Sequence, residues 1–167
     1  MRRTLTWLAV SLLLAVAASG CAGTKTAPPT RSDRLPDVSL ASLTGGPAVD
    51  LGTLRGPAVV NLWAQWCGPC KRELPIYESF YQRHHDQVSV LGVDWQDVQG
   101  DLARQMAKKF AITYPLVVDN EPAIRNRDLP TLILVDRDGK IAYRESLEIK
   151  SLQELEGLVE KHLGVTL

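Results

Sequence analysis

Hydrophobic and polar residues fall into blocks of different length and period between residues 57 and 93. Two nearly continuous apolar runs, at 57–64 and 88–93, are rich in β-branched residues and predict strands buried on both faces. The stretch between them, about 69–85, repeats apolar residues every three or four positions and predicts an amphipathic helix. Its apolar stripe consists of Leu74, Tyr77, Phe80 and Tyr81, with Lys71, Arg72, Glu73 and Glu78 between them.

The alternation of strand and helix continues further along the chain. Residues 101–110 predict a second helix with Asp101 as its N-cap, and 116–118 predict a short strand. Two more strands, at 131–135 and 140–144, are joined by the sequence Asp-Arg-Asp-Gly. This is a strong hairpin pattern, because Asp-Gly tolerates the positive φ that tight turns require.

Smaller elements lie at the two ends of this region. Short apolar pieces at 38–40 and 48–51 predict an N-terminal β extension, and Ser151 caps a last amphipathic helix. The predicted order is therefore β-α-β-α-β-β-α after the extension. It belongs to an α/β fold with a central mixed β-sheet flanked by helices, which we expect on both faces. We assign residues 35–167 to this one domain.

The composition is that of a globular protein, with 45% hydrophobic and 23% charged residues among 167. Lys and Arg number 19, and Asp and Glu also number 19, so the formal charge is zero. This balance excludes a general polyanion binder and makes nucleic acid an unexpected partner, because phosphate binding needs clustered excess positive charge. Three cysteines are too few for a small fold held together by disulfides, so we expect them to serve local chemistry.

The N-terminus has the layout of a secretory signal. Two arginines follow Met1, an apolar run covers 5–18, and small residues precede Cys21. The run is too short to span a bilayer core of roughly 30 Å. The segment resembles a bacterial lipobox, which implies cleavage before Cys21 and lipidation of that cysteine. An ordinary cleaved signal with an incidental Cys21 is the alternative interpretation.

These features predict three parts of the chain. Residues 1–20 form a lipoprotein signal peptide. Residues 21–34 contain the lipidated Cys21 and a small, polar, Pro-containing stretch that is typical of a flexible tether. The domain at 35–167 is then held at the extracytoplasmic face of the cell membrane by its lipid anchor.

Cys67 and Cys70 are the residues placed for chemistry. Cys67 follows the strand predicted at 57–64 and stands at the start of the next helix, where free backbone N–H groups and the helix dipole stabilise a thiolate. Cys70 lies one turn further on, close enough to close a small disulfide ring. Pro69 suits the first helical turn because its missing N–H is not needed there. The spacing predicts a reversible dithiol/disulfide couple, in which Cys67 attacks a substrate disulfide and Cys70 resolves the mixed disulfide.

The surrounding residues resemble the active-site segment of thioredoxins. The motif Trp-Cys-Gly-Pro-Cys at 66–70, preceded by Val-Val-Asn-Leu-Trp-Ala at 59–64, is similar to that of membrane-tethered thioredoxin-like proteins of the TlpA/ResA kind. Leu-Pro-Thr at 129–131 resembles the cis-proline loop of this family, and residues 136–141 resemble its hairpin. Together these segments extend the resemblance over 35–167 and imply a thioredoxin-like fold.

The resemblance also implies roles for individual residues. It makes Cys67 the nucleophile and Cys70 the resolving thiol. It implies that Pro130 follows a cis peptide bond, faces the disulfide and presents its backbone to an extended substrate segment. The residues implied to tune the disulfide or contact the substrate are Trp66, Gly68, Pro69, Leu129 and Thr131. Neither a cofactor nor a metal is expected.

Two positions differ from cytoplasmic thioredoxins. Those proteins place a buried Asp six residues before the first cysteine as a proton acceptor, whereas this chain has Asn61, which does not titrate. The membrane-tethered branch instead places an acidic residue after the following strand, and the matching position is Asp97. A carboxylate near a buried thiol can receive its proton, so Asp97 is a catalytic candidate. A solvated turn residue is the alternative interpretation of Asp97.

Other interpretations of the two cysteines are weaker. A zinc site would need them together with His84 and His85, but adjacent histidines do not match the usual ligand spacing. A purely structural disulfide stabilises little, because the closed loop is short. A peroxiredoxin-like thiol peroxidase has the related pattern PxxxTxxC, but Val60 and Ala64 occupy its Pro and Thr positions. A tethered binding lipoprotein with an inert domain would not need both cysteines.

The sequence thus predicts an extracytoplasmic thiol-disulfide oxidoreductase. Reduction of disulfides in exported proteins is the favoured direction, with apocytochrome c as a candidate client and a membrane thiol reductase as the electron donor. A disulfide-forming oxidase of secreted proteins is the alternative. Reduction potentials of such cysteine pairs span about −270 to −120 mV, and the residue pattern does not fix the value.

Overall fold

The computed structural model describes residues 32–167, and its elements follow the predicted order. The strands are β1 (Ser39–Leu40), β2 (Val49–Asp50), β3 (Ala58–Trp63), β4 (Ser89–Trp95), β5 (Leu116–Asp119), β6 (Thr131–Val135) and β7 (Ile141–Glu145). The helices are α1 (Gly68–His84), α2 (Gly100–Lys109) and α3 (Leu152–Leu163), and a short 3₁₀ helix (Leu51–Thr53) follows β2.

A five-stranded central sheet has the strand order β5-β4-β3-β6-β7. Strands β3, β4 and β5 run parallel, whereas β6 is antiparallel to β3 and β7 is antiparallel to β6. The sheet is therefore mixed, as predicted, and β3 lies at its centre. Every residue of β3 is buried, which explains why the run at 57–64 shows almost no polar alternation.

All three helices pack on one face of this sheet, so the expectation of helices on both faces was wrong. The buried residues of α1, α2 and α3 belong to one core cluster, which they share with Val59, Trp63 and Val90 of the sheet. The strand order explains the arrangement for α1 and α2. The crossovers β3-α1-β4 and β4-α2-β5 step in the same direction across the sheet, and right-handed crossovers in one direction place their helices on the same face.

The N-terminal extension covers the opposite face. The antiparallel β1-β2 pair and the 3₁₀ helix contribute Leu40 and Leu51 to a second core cluster, which includes Leu62 and Trp95 of the sheet. Ile124, between β5 and β6, belongs to the same cluster, and its carbonyl accepts a hydrogen bond from Trp95 Nε1 at 2.8 Å. The face without helices is thus closed by the N-terminal extension and by the segment between β5 and β6.

The helix caps were only partly predicted. Helix α2 begins after Gln99, and Asp101 lies inside its first turn, where it pairs with Arg104 instead of serving as the N-cap. An acidic residue in the first turn still interacts favourably with the helix dipole. Ser151 caps α3 as predicted, since its Oγ accepts a hydrogen bond from the Glu154 N–H at 3.2 Å.

The turn between β6 and β7 follows the hairpin prediction. The Asp136 carboxylate accepts hydrogen bonds from the N–H groups of Asp138 and Lys140, at 2.9 and 2.8 Å, and Gly139 has a φ of 80°. Strand β7 begins at Ile141, one residue later than predicted. Lys140 instead forms an isolated antiparallel β-bridge with Arg34.

Candidate active site

The two cysteines of the motif lie where β3 leads into α1. After β3 ends, the N–H of Cys67 donates to the carbonyl of Ala64 at 3.1 Å and closes a short turn. Cys67 has extended backbone angles (φ −80°, ψ 108°) and is the N-cap of α1, and Pro69 lies in the first turn of the helix. A strand that runs directly into a helix thus places Cys67 at the positive end of the helix dipole.

Cys67 and Cys70 form a disulfide with their Cα atoms 5.3 Å apart. The Cys70 N–H donates to Cys67 Sγ at 3.2 Å. Cys67 is 4% exposed and Cys70 is 0% exposed, while the neighbouring Trp66 is 55% exposed. Cys67 is therefore the sulfur that an incoming group can approach, and Cys70 is enclosed behind it.

Pro130 lies at the same end of the sheet as the disulfide. Its peptide bond with Leu129 is cis, as the resemblance implies. The next residue, Thr131, begins β6 and pairs with Leu62 of β3. Because β3 continues past Leu62 toward Cys67, the strand register places the cis-proline loop at the end of the sheet where α1 begins.

The other residues implied to contact substrate differ in exposure. Gly68 is exposed, whereas Pro69 and Leu129 are half-buried. Thr131 is fully buried, and its Oγ1 donates to the carbonyl of Asp128 at 2.7 Å and lies 2.8 Å from Ser146 Oγ. The Thr131 side chain therefore holds the cis-proline loop in place.

Asp97 is a buried residue, so its interpretation as a solvated turn residue was wrong. It is 1% exposed. Its Oδ2 accepts a hydrogen bond from the Gln65 N–H at 2.8 Å, and its Oδ1 accepts one from the Gln99 N–H at 2.9 Å. Gln65 lies two residues before Cys67. The Asp97 carboxylate thus connects the loop after β4 to the turn that presents the disulfide.

A second buried carboxyl group, Asp94, lies near Asp97. Asp94 is 0% exposed, and burial raises its pKa to about 8, with the nearby Asp97 adding to the effect. Its neutral form therefore predominates at neutral pH. Asp94 was not predicted from the sequence as a site residue. Alternation along β4 could have located it, because Val90, Gly92 and Asp94 fall on the sheet face that the helices cover.

Glu73 is a third buried carboxyl group and lies one helical turn beyond Cys70. It is 0% exposed, and its Oε2 accepts a hydrogen bond from the Ile149 N–H at 3.0 Å. Burial raises the pKa of Glu73 to about 8. From the sequence, Glu73 was predicted to be one of the polar residues between the apolar positions of α1. The spacing of 70, 73, 77 and 80 was the available signal, since it places Glu73 on the buried stripe.

Asn61 occupies the centre of β3, at the position where cytoplasmic thioredoxins carry a buried Asp. It is 0% exposed and pairs with Gly92 of β4. Its amide lies beside the hydroxyl of Tyr114, and burial raises the pKa of Tyr114 well above its ordinary value. Neither group ionises near neutral pH. Among the described residues on this side of the sheet, Glu73 and Asp94 are buried carboxyls whose pKa is raised to about 8.

The geometry of the described residues does not favour the zinc or the peroxidase interpretation. His84 and His85 lie at and just beyond the end of the 17-residue helix α1, whose first turn holds the cysteines. Within residues 32–167, no group of three or more side chains is arranged to hold a metal ion. Val60 and Ala64, at the positions of the peroxiredoxin Pro and Thr, are buried core residues without a hydroxyl.

The N-terminal predictions lie mostly outside the described residues. The signal peptide at 1–20, the lipidated Cys21 and the tether up to residue 31 belong to that part. In the described part, backbone contacts with the domain begin at Asp33, whose carbonyl accepts a hydrogen bond from the Ile141 N–H at 2.6 Å. No helix within residues 32–167 is long and apolar enough to cross a membrane.

Comparisons with known proteins connect this site to a family. The AhpC/TSA family model matches residues 32–144. The thiol-disulfide oxidoreductase ResA of Geobacillus thermodenitrificans is 33% identical over 112 residues, which make up 64% of this chain and 63% of that protein, less than two thirds of its length. The ResA of Bacillus thuringiensis subsp. konkukian is 30% identical over 122 residues, or 69% of this chain and 67% of that protein.

A solved structure shows the same fold. The thiol:disulfide interchange protein of the thioredoxin family from Chlorobium tepidum TLS has a TM-score of 0.65 and 20% identity, and the match covers 82% of this chain and 100% of that chain. This likeness confirms the predicted thioredoxin-like fold. Because the family model spans more than half of the sequence, including the disulfide and the cis-proline loop, the chain belongs to the AhpC/TSA family and is a relative of the ResA thiol-disulfide oxidoreductases.

Proposed function

We propose that this protein is a membrane-anchored, extracytoplasmic thiol-disulfide oxidoreductase that reduces disulfides in exported proteins. The observation that carries the proposal is the position of Cys67, which caps α1, is bonded to Cys70 and follows the exposed Trp66. In the reduced protein, the helix terminus and the Cys70 N–H favour a thiolate on Cys67. The ResA relatives, which are named thiol-disulfide oxidoreductases, support the same chemistry.

The proposed reaction starts from the dithiol form. The Cys67 thiolate attacks one sulfur of the substrate disulfide, a Cys67–substrate S–S bond forms, and the departing substrate thiolate takes up a proton. Cys70 then loses its proton and attacks the Cys67 sulfur, which closes the internal disulfide and releases the second substrate sulfur as a thiol. The substrate gains two electrons and two protons. The Cys67–Cys70 pair supplies both electrons and the Cys70 proton, and the solvent supplies the other proton because Cys67 reacts as a thiolate.

The buried carboxyl groups support this reaction in different ways. Glu73 lies one turn from Cys70, and a pKa of about 8 lets its carboxyl exchange a proton near neutral pH. We assign it to the proton transfer that accompanies resolution by Cys70. Asp97 acts as a positioning residue, because its oxygens accept hydrogen bonds from backbone N–H groups of the turn before Cys67 and of its own loop.

The N-terminal sequence supports the proposed location and partners. The signal at 1–20 would direct export, and lipid chains on Cys21 would anchor a tether at 21–34 that holds the domain near the membrane. On that face the clients are exported proteins with disulfides, and apocytochrome c is a candidate because its haem-binding cysteines must be reduced. A membrane thiol reductase supplies the electrons that regenerate the Cys67–Cys70 dithiol.

The reduction potential of the full-length protein against glutathione tests the direction of electron flow. We expect a value near the reducing end of the thioredoxin range, about −270 mV. A value near the oxidising end, about −120 mV, would contradict the proposal and identify a disulfide-forming oxidase instead. The Cys70→Ser variant is the control, because it keeps Cys67 but cannot form the internal disulfide.

A further inference from the structure

Three large apolar side chains of the described residues are exposed, and all three lie in segments next to the disulfide. Trp66 is 55% exposed, Val98 is 85% exposed and Leu102 is 42% exposed. Single exposed apolar residues are common on protein surfaces. Several that lie together, with polar residues around them, instead indicate a surface that binds another molecule.

Hydrogen bonding and a shared groove bring these segments together. Asp97 Oδ2 accepts a hydrogen bond from the Gln65 N–H at 2.8 Å. Trp66 and Val98 are the next residues along the two bonded segments. Leu102 and Gln65 line the same groove. The exposed Leu102 therefore shares a groove with the residue that precedes Trp66, and the segment that carries Val98 is bonded to the same turn.

The groove has a volume of about 430 Å³ and lies between the first turn of α1 and one side of α2. Its lining residues are Gln65, Lys71, Leu102, Gln105, Met106, Lys109 and Phe110. The lining positions 102, 105, 106 and 109 of α2 recur at steps of three and four residues, so they lie on one side of that helix, and Phe110 follows its end. Because Lys71 directly follows Cys70, the groove begins at the turn that carries the disulfide.

Positive charge is the second property of this groove. Its lining contains two lysines and no carboxylate. Among the residues that the structure describes, none forms an ion pair with Lys71 or Lys109. The Lys109 Nζ lies 5.7 Å from the ring centroid of Phe110. An anionic group that enters the groove thus meets two ammonium groups without displacing an existing ion pair.

We propose that this groove docks the client polypeptide segment that adjoins the client's disulfide, and that it selects segments carrying a large apolar residue together with Asp or Glu. The apolar side chain covers Leu102 and Met106, and the carboxylate pairs with Lys71 or Lys109. The occupant is a polypeptide because one of its sulfurs must reach Cys67 while adjoining residues extend along α2. The inference rests on the proposed disulfide-reducing function and adds the chemistry by which clients are chosen.

The test measures how fast the reduced full-length protein reduces three short synthetic peptides with the same internal disulfide. The peptides differ only in the two residues after the disulfide, which are Leu-Glu, Leu-Lys or Ser-Glu. Each rate is divided by the rate with 2-hydroxyethyl disulfide, which is small and uncharged. We expect the Leu-Glu peptide to react roughly tenfold faster than the Leu-Lys peptide at low salt, and the difference to shrink as salt is added. We also expect it to react several-fold faster than the Ser-Glu peptide.

Variants of two adjacent lysines separate docking from a general charge effect. Lys109→Gln should lower the Leu-Glu to Leu-Lys rate ratio by about threefold, and Lys109→Glu should lower it further. Lys108→Gln is the matched control, since Lys108 is an exposed residue of α2 that does not line the groove. It should leave the ratio unchanged. Leu102→Ser should remove most of the advantage of the Leu-Glu peptide over the Ser-Glu peptide.

The experiment distinguishes a failure of the docking proposal from a failure of the proposed function. Equal rates for the Leu-Glu and Leu-Lys peptides, or equal losses of selectivity in Lys108→Gln and Lys109→Gln, would overturn the docking proposal and leave the proposed function intact. A reduced protein that does not react even with 2-hydroxyethyl disulfide would contradict the proposed function, and the docking proposal with it.

Discussion

The Asp97 carboxylate accepts a hydrogen bond from the Gln65 N–H at 2.8 Å, across 32 positions of sequence. Gln65 lies in the turn that presents Cys67, and Asp97 lies in the loop after β4. A buried carboxylate therefore fixes the backbone just before the reactive sulfur. Hydrogen bonds to charged groups are stronger than those between neutral groups, so this contact holds the turn more firmly than an amide side chain would.

Asp97→Asn is the conservative test of this contact. We expect the variant to fold and to lose about 1–2 kcal/mol of unfolding free energy. It should also shift the pH dependence of disulfide reduction, because Asp97 helps to raise the pKa of the buried Asp94. Thermal unfolding and a pH–rate profile measure the two effects. Asp86→Asn is the control, because the Asp86 side chain is 92% exposed. A lower stability with an unchanged pH profile would limit Asp97 to a structural role.

Buried carboxyl groups also predict how stability depends on pH. The pKa values of Glu73 and Asp94 are raised to about 8 in the folded protein from ordinary values of 4.5 and 3.8. Between these values the folded state binds more protons than the unfolded state. The free energy of unfolding should therefore fall as pH rises from about 5 to 9, with a slope of up to about 1.4 kcal/mol per pH unit for each group.

Chemical denaturation at a series of pH values measures this slope. Glu73→Gln removes one of the two titrating groups and should flatten the dependence above about pH 5. Glu121→Gln, at an exposed position, should leave the dependence of the unfolding free energy on pH unchanged. A protein whose stability rises between pH 5 and 8 would contradict the assignment of buried, protonated carboxyls.

The two cysteines should fail in different ways when they are replaced. Cys67→Ser should abolish disulfide exchange, because it removes the attacking sulfur. Cys70→Ser should accumulate mixed disulfides between Cys67 and clients, because the resolving thiol is missing. Non-reducing electrophoresis followed by mass spectrometry detects these adducts. If Cys67→Ser traps clients and Cys70→Ser does not, the order of attack is reversed.

Replacing Gly92 tests how tightly β4 packs against the side chains next to it. A Cβ at this position would collide with Leu116 Cδ2 and lie 3.0 Å from Tyr114 Cε2 and 3.2 Å from Trp63 Nε1. Gly92→Ala should therefore destabilise the protein by about 1–3 kcal/mol, measured by chemical denaturation. Gly157→Ala is the opposite control, since a Cβ there meets nothing within 4 Å on α3. It should stabilise by about 0.5–1 kcal/mol, and a similar loss in both variants would contradict the packing argument.

Much of the fold was predictable because it follows local rules. Apolar runs located β3 and β4, and the Asp-Gly pair located the hairpin between β6 and β7. The placement of the helices on one face was not predicted. It depends on the order of strands in the sheet, which local periodicity does not contain.

The candidate site was likewise predictable only where its residues follow local rules. Spacing alone identified Cys67 and Cys70, since a sulfur at a helix start has a local physical reason. The buried carboxyls of Glu73 and Asp94 were missed, because charged residues are expected on the surface unless tertiary packing covers them. The Asp97–Gln65 contact joins positions far apart in sequence, so only the folded chain shows it.

Alkylation of the reduced protein at pH 7 tests the central claim most directly. With both thiols free, iodoacetamide should modify Cys67 several-fold faster than it modifies N-acetylcysteine, because the start of α1 stabilises the thiolate. Mass spectrometry should show that Cys70 reacts more slowly than Cys67. A Cys67 that reacts no faster than N-acetylcysteine would contradict the account.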